Sequence, residues 1–311
     1  MLAATGRAPA PTPRCAGRAV GHFPGGSGGS RGAATVGAYG AFVPEQAEPP
    51  NPGAPSEPES TGPESTTAPT GTDTSLVLRR TDAVLFDFHG TVAQVEDAVT
   101  WVRAAAAECG TALDLGSATV LADRLVTAGR AGGPLPARVP PHLIEVWANR
   151  DLYEYAHRAA FTGLAETVRT SIDGLADALY ERLLSPRGWQ VYADTAATLA
   201  TLKAAGKRIG IVSNIGFDIR PIFAANGLDD FVDAYVLSYE IGRVKPDPAI
   251  FEHACAKLQV DPEHALMVGD TPWDAAAVAI GCAAYVVPAA GPGQVNGLAA
   301  VCALAGPPTL D

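Results

Sequence analysis

The chain has 311 residues, enough for a sizeable buried core in one or two domains, and its 47% hydrophobic and 18% charged content is ordinary globular usage. Lys and Arg number 22 against 33 Asp and Glu, a formal net charge of −11. That acidity argues against an extended nucleic-acid or anionic-membrane footprint, both of which need basic surface, and favours a small-molecule partner.

Residues 1–76 are crowded with Gly, Pro, Ser, Thr and Ala, as in Pro24-Gly25-Gly26-Ser27-Gly28-Gly29-Ser30. Such sequence buries too little apolar surface to offset chain entropy, so it is read as a disordered tail, with the fold starting near residue 77. Arg7, Arg14, Arg18 and Arg31 precede any acid, which resembles a transit peptide, but the composition favours a tail without a targeting role. The opening residues also lack the apolar core of a secretory signal.

From residue 82, short apolar runs that end in polar residues predict strands at 83–88, 208–213, 234–238, 265–269 and 283–287. Helical patterns fill 194–205, closed by Gly206, then 218–226, 247–258 and 271–280. Strands alternating with helices predict an α/β fold, a Rossmann-like, doubly wound parallel sheet, whose ligand crevice lies beyond the carboxyl ends of the strands. Between the first two strands no convincing strand is found. Helical spacing over 95–109, 117–128, 142–160 and 164–184 predicts an inserted helical cap domain instead. The expected division is thus a core of 77–92 and 190–311 around a cap of 93–189.

No run approaches the roughly 18 uninterrupted apolar residues of a membrane span, since Pro288 and Pro292 break the most apolar stretch. Cys15, Cys109, Cys255, Cys282 and Cys302 form an odd, scattered set without a C-x-x-C pair, as fits buried free thiols in a reducing, cytoplasmic setting. No pattern forces a dimer, and the oligomeric state stays open.

The predicted strand ends carry the chemistry. The first leads into Asp87-Phe88-His89-Gly90-Thr91, the second ends in Ser213-Asn214, a rigid loop presents Lys245 before Pro246, and the fourth ends in Gly269-Asp270-Thr271-Pro272-Trp273-Asp274. Each has an ordinary local explanation: a turn former for Ser213, a solvated lysine, a helix N-cap for Asp270 or Asp274. Their occurrence in order, at successive strand ends, is what sets them apart.

Over residues 82–290 this ordered set resembles the haloacid dehalogenase superfamily of hydrolases. The resemblance implies that Asp87 is a nucleophile forming a covalent aspartyl intermediate. It implies that Asp87, the His89 backbone carbonyl and Asp270 hold Mg2+, with Asp274 orienting the metal's waters or Lys245 from behind. Ser213, Asn214 and Lys245 are expected to hold the transferring phosphoryl group. The substrate is then a small phosphomonoester.

One position departs from the family pattern. Its phosphatases usually carry a second Asp two residues after the nucleophile, where this chain has His89. Imidazole can serve as acid and base there, or His89 can simply shape the loop. An aromatic ring at that position and the Trp273-Asp274 pair resemble the metal-independent 2-haloacid dehalogenases of the superfamily, in which the nucleophile attacks carbon; Asp270 argues for the phosphatase. A catalytically weak binding protein on the same fold is the third reading. In the cap, Trp147, Arg150, Tyr153, Tyr155, His157 and Arg158 cluster; Arg150 or Arg158 can bind an anionic substrate tail, or the cluster is an amphipathic helix with its rings packed inward.

Overall fold

The computed structural model describes residues 80–288 and 290–306. The expected tail over 1–76 and the start of the fold near 77 lie outside the described residues. In chain order, β1 (Ala83–Phe86) runs through a tight loop into β2 (Ala93–Val95). Five helices follow: α1 (Ala98–Glu108), α2 (Leu115–Ala128), α3 (Ile144–Ala148), α4 (Glu154–Glu166) and α5 (Leu175–Leu184). Next come β3 (Trp189–Val191), α6 (Thr195–Ala204), β4 (Arg208–Ser213), α7 (Arg220–Ala225) and β5 (Ala234–Leu237). The remainder comprises α8 (Ser238–Ile241), α9 (Pro248–Leu258), β6 (Ala265–Gly269), α10 (Pro272–Ala275), β7 (Ala283–Val286) and α11 (Ala299–Leu304).

Five strands form one sheet in the order β5-β4-β1-β6-β7, every neighbouring pair parallel. Successive side chains of a strand point to opposite faces, and here both faces are covered. Val84, Phe86, Ile209, Ile211 and Val268 pack on one side with Leu199, Phe223 and Val301. Ala83, Leu85, Val212, Val236 and Met267 pack on the other with Ile250, Phe251 and Leu258. Burial on both faces is why these strands read as continuous apolar runs. The register Leu85↔Gly210 and Leu85↔Met267 brings the carboxyl ends of β1, β4 and β6 to one edge. The polar residues that follow them therefore meet.

The helices between β1 and β4 have an apolar cluster of their own, formed by Trp101, Val102, Leu121, Leu125, Leu175 and Leu179. Asp97 and Asp114 cap α1 and α2 by accepting from Val99 and Thr100, and from Ser117, in turn. This stretch is not strandless as expected: β2 and β3 flank it as an antiparallel pair, Ala93↔Val191 and Val95↔Trp189. Three-residue strands are too short to show a two-residue period, and their pairing is remote in sequence.

Three predicted helices are also interrupted. The pattern over 142–160 divides into a 3-10 turn, α3 and α4, because Arg150 and Asp151 leave the helix to meet the sheet domain. There Ser238 Oγ donates to Asp151 O at 2.5 Å, and a Cβ on Gly216 would lie 2.3 Å from Arg150 O. The pattern over 164–184 breaks after Glu166 and restarts at Gly174, whose φ of +75° favours glycine. The helix expected over 271–280 becomes α10 and a 3-10 run, Ala276–Ile280.

Candidate active site

The loop after β1 is held from three sides. Asp87 N donates to Val268 O at 2.9 Å, prolonging the pairing with β6 by one residue. Gly90 N donates to Ala93 O, and Val92 N and Ala93 N both donate to Phe88 O, closing a turn in which Gly90 has φ +79°. Asn296, 3% exposed, donates its Nδ2 to Gly90 O at 3.0 Å and Thr91 O at 2.9 Å. Gly90 also meets a spatial demand, since a Cβ there would sit 2.2 Å from Asp270 Oδ2. Only glycine lets the β1 loop and the Asp270 carboxylate approach so closely.

Lys245, 4% exposed, joins the other strand ends. Its Nζ lies 2.8 Å from Asp87 Oδ1 and 2.5 Å from Asp274 Oδ1. Asp274 works in two directions at once. Its Oδ2 accepts from Thr271 N at 3.0 Å and Thr271 Oγ1 at 2.6 Å, forming the capping box that opens α10, while its Oδ1 faces the lysine. The N-cap is therefore Thr271, not Asp270 or Asp274, and Asp274 at the third helical position both closes the capping box and faces the lysine. Burial works against the Lys245 ammonium, but Asp87 and Asp274 prevail and hold its pKa above the usual value. Burial raises the Asp87 carboxyl, with Lys245 acting against the rise and Asp274 adding to it. Asp270 is pushed up to about 6 by burial and then by the charges of Asp87 and Asp274. Its Oδ1 is buried and has no hydrogen-bond partner.

Asp87, Asp270 and Asp274 each present a carboxylate oxygen within 4.8 Å of the others. Three carboxylates in a buried pocket balanced by one lysine leave an excess of negative charge and an unmatched oxygen. A hard divalent cation with oxygen ligands answers both, and Mg2+ fits that donor set.

Ser213 is buried at the end of β4, opposite Leu237 in the register, and Asn214 follows it. The Asn214 amide, expected at a phosphoryl group, is engaged with the lysine loop: Nδ2 donates to Lys245 O at 2.9 Å and Oδ1 accepts from Lys245 N at 2.7 Å. It therefore fixes the backbone from which Lys245 reaches the carboxylates.

His89 is directed into a cavity of about 190 Å3 between the helical segment and the strand ends, shared with Arg130, Trp147, Arg150, Trp189 and Asn214. Its Nε2 lies 2.5 Å from Gln94 Oε1, which also accepts from Val95 N, and its ring meets Trp189 edge-on at 5.8 Å. Burial lowers its pKa, Gln94 and Asp87 acting the other way and Arg130 with it. The clustered helical residues divide. Arg150 lies 4.1 Å over Trp147 and faces the cavity, whereas Arg158 pairs with Glu181 at 2.6 Å on the exposed face and Tyr155 is exposed. Strand-end spacing misses Arg130 and Asn296, which tertiary packing alone brings there, and Gln94, which meets His89 from the three-residue strand β2.

A parallel sheet with a buried acidic cluster at the carboxyl ends of its strands defines the class as a Rossmann-like α/β enzyme fold with a crevice site. A family model for haloacid dehalogenase-like hydrolases matches residues 81–280, and the chain belongs to that family. It is 36% identical over 97 residues to mouse haloacid dehalogenase-like hydrolase domain-containing protein 3, covering 31% of this chain and 39% of that one. It is 32% identical over 133 residues to (S)-2-haloacid dehalogenase 4A of Burkholderia cepacia, covering 41% and 57%. It is 36% identical over 88 residues to a phosphoglycolate phosphatase of Cupriavidus necator, covering 28% and 38%. The matched stretches thus span less than two thirds of each of these relatives. A solved dehalogenase structure superposes with a TM-score of 0.51 at 26% identity, covering 72% of this chain and 96% of that one. Among the described residues no helix is long and apolar enough to cross a membrane.

Proposed function

We propose that the chain is a Mg2+-dependent phosphatase of small phosphomonoesters, with Asp87 as nucleophile. The observation that carries this reading is the Asp270 carboxylate, held against Gly90 with a buried, unpartnered Oδ1 beside Asp87. A displacement at carbon without a metal has no use for that group. Asp87, Asp270 and the His89 backbone carbonyl would hold the ion, and when bound it would neutralise charge on the phosphoryl oxygens.

The chain's own groups divide the work as follows. An Asp87 oxygen attacks phosphorus as the ester P–O bond breaks, and the leaving oxygen departs with a proton. Water then attacks phosphorus of the aspartyl phosphate, regenerating the carboxylate and releasing inorganic phosphate. Lys245 and Ser213 position the phosphoryl group, Asn214 fixes Lys245, and Asp274 holds the ammonium from behind. His89 exchanges the protons; its lowered pKa favours the base half of that work, at the attacking water. Residues 93–189 act as the cap, closing over the cavity and limiting it to small substrates.

The alternative, a metal-independent 2-haloacid dehalogenase, draws on the ring at position 89 and on similarity to dehalogenases. Against it, Trp273 of the Trp273-Asp274 pair is 55% exposed and does not line the cavity. The test is Asp270→Asn: the Mg2+ concentration for half-maximal phosphate release should rise about tenfold or more. An unchanged Mg2+ requirement would remove Asp270 from the metal site.

A further inference from the structure

Arg130 follows α2 in the Gly129–Gly133 turn and is 9% exposed. Its Nη2 donates to Glu96 O at 2.8 Å, and its guanidinium lies over Trp101, 4.3 Å from the ring centroid. Its Nε has no hydrogen-bond partner. Among the described residues no carboxylate reaches ion-pair distance: the nearby Glu96 carboxylate binds Arg182 instead, at 2.7 and 2.8 Å. Burial pulls the Arg130 pKa down to about 10, Glu96 and Asp97 acting against the fall, so the side chain is cationic at neutral pH.

A buried cation with an unused donor is costly to hold unless an anion answers it. Arg130 lines the same cavity as His89, and its charge acts on the imidazole. The acids nearby are placed elsewhere: Asp87 and Asp274 face Lys245, Asp270 lies against Gly90, and Asp151, which lines the cavity, pairs with Arg150 at 3.3 Å. The cavity, at about 190 Å3, has room for a small molecule and is lined by His89 and Asn214, which closely follow Asp87 and Ser213 in the chain.

We propose that Arg130 binds a second anionic group, carboxylate or phosphate, on the leaving group of the substrate. The substrates are then small phosphomonoesters that carry a further negative charge. The identity of the reacting group rests on the phosphatase reading; the anion subsite does not. Planar guanidinium donors suit either anion.

The test compares kcat/KM of the full chain on ethyl phosphate, carboxymethyl phosphate and ethane-1,2-diyl bisphosphate, with Mg2+. At least one anionic ester should exceed ethyl phosphate by about tenfold or more, and which one does so identifies the anion. Arg130→Met, which retains an apolar contact with Trp101, should reduce that ratio about tenfold or more, and Arg130→Lys should reduce it less. Equal handling of all three esters by the native protein overturns the proposal whether or not the variants fold, and so does a ratio that survives Arg130→Met. If no ester is hydrolysed, the phosphatase reading fails by itself. The subsite is then judged by calorimetric binding of the three esters to the native protein: tighter binding of an anionic ester supports it, and equal or absent binding overturns it.

Discussion

The side chains that the sequence places at strand ends have one property in common: local spacing determines their position. Asp87, Ser213, Asp270 and Asp274 are legible because a parallel strand delivers its next residue to a known edge, and the structure brings Asp87, Asp270 and Asp274 within one cluster. Asn214 is legible in place but not in contact, since its amide reaches the Lys245 backbone across a loop. Arg130 gives no sequence signal, as it reaches the cavity only through the fold. His157, legible as part of the aromatic and basic cluster over 147–158, is buried and lines that cavity. Its Nδ1 is 2.8 Å from Tyr180 Oη, and desolvation, helped by Arg150, lowers its pKa to about 3. The folded state therefore keeps it neutral while the unfolded chain takes up a proton near its ordinary value of 6.5. Its contribution to stability is complete above that value and is lost as pH falls from 6.5 towards 3. From pH 7.5 to 5.5 this group alone should reduce the unfolding free energy by about 1.4 kcal/mol. Urea unfolding of the native protein and of His157→Leu at both pH values checks this; an equal pH dependence in the two proteins would remove His157 as its source.

Elements of the parallel sheet are read with correct type and nearly correct bounds, because burial on both faces leaves unbroken apolar runs. The helical segment is harder. Periodicity finds its helices but not the break between α3 and α4, since that break answers to groups on the sheet domain. Gly216 is the element-level determinant. A Cβ there would meet Arg150 O at 2.3 Å and His157 Cβ at 2.5 Å, and a backbone oxygen cannot rotate aside as a flexible side chain can. Gly216→Ala should therefore displace the Arg150–Asp151 turn and α4, costing about 1–3 kcal/mol of stability and raising KM more than it lowers kcat. Thermal unfolding and steady-state kinetics measure both effects. Unchanged stability and KM would show that the close approach at Gly216 is not needed.

Across the whole described chain, fold and site are coupled through contacts between the helical segment and the sheet, among them Phe88–Trp189 and His157–Phe217. Ser238 holds Asp151, Gly216 packs against Arg150 and His157, and Arg130, just after α2, lines the cavity that His89 shares. The β2–β3 pair joins both ends of the helical segment to each other, so entry and exit lie together although remote in sequence. This explains how a large helical stretch can interrupt the sheet after its first strand without disturbing the pairing of β1 with β4 and β6. The same organisation leaves the carboxylate cluster at the carboxyl edge of the sheet, with Arg130 and Arg150 facing the cavity from turns of the helical segment. Family and fold are consequently legible from the strand ends, while substrate choice depends on residues such as Arg130 that only the assembled cavity brings together.

We infer that Asp87 transfers a phosphoryl group with the help of a metal held by Asp270. The measurement that tests it most directly is phosphate release from a panel of small phosphomonoesters, with Mg2+ or with EDTA, by the native chain and by Asp87→Asn. The expected result is Mg2+-dependent release that EDTA suppresses and that Asp87→Asn reduces by at least about a thousandfold. Halide release from 2-haloacids in the presence of EDTA, with no phosphate released under any condition, would contradict it.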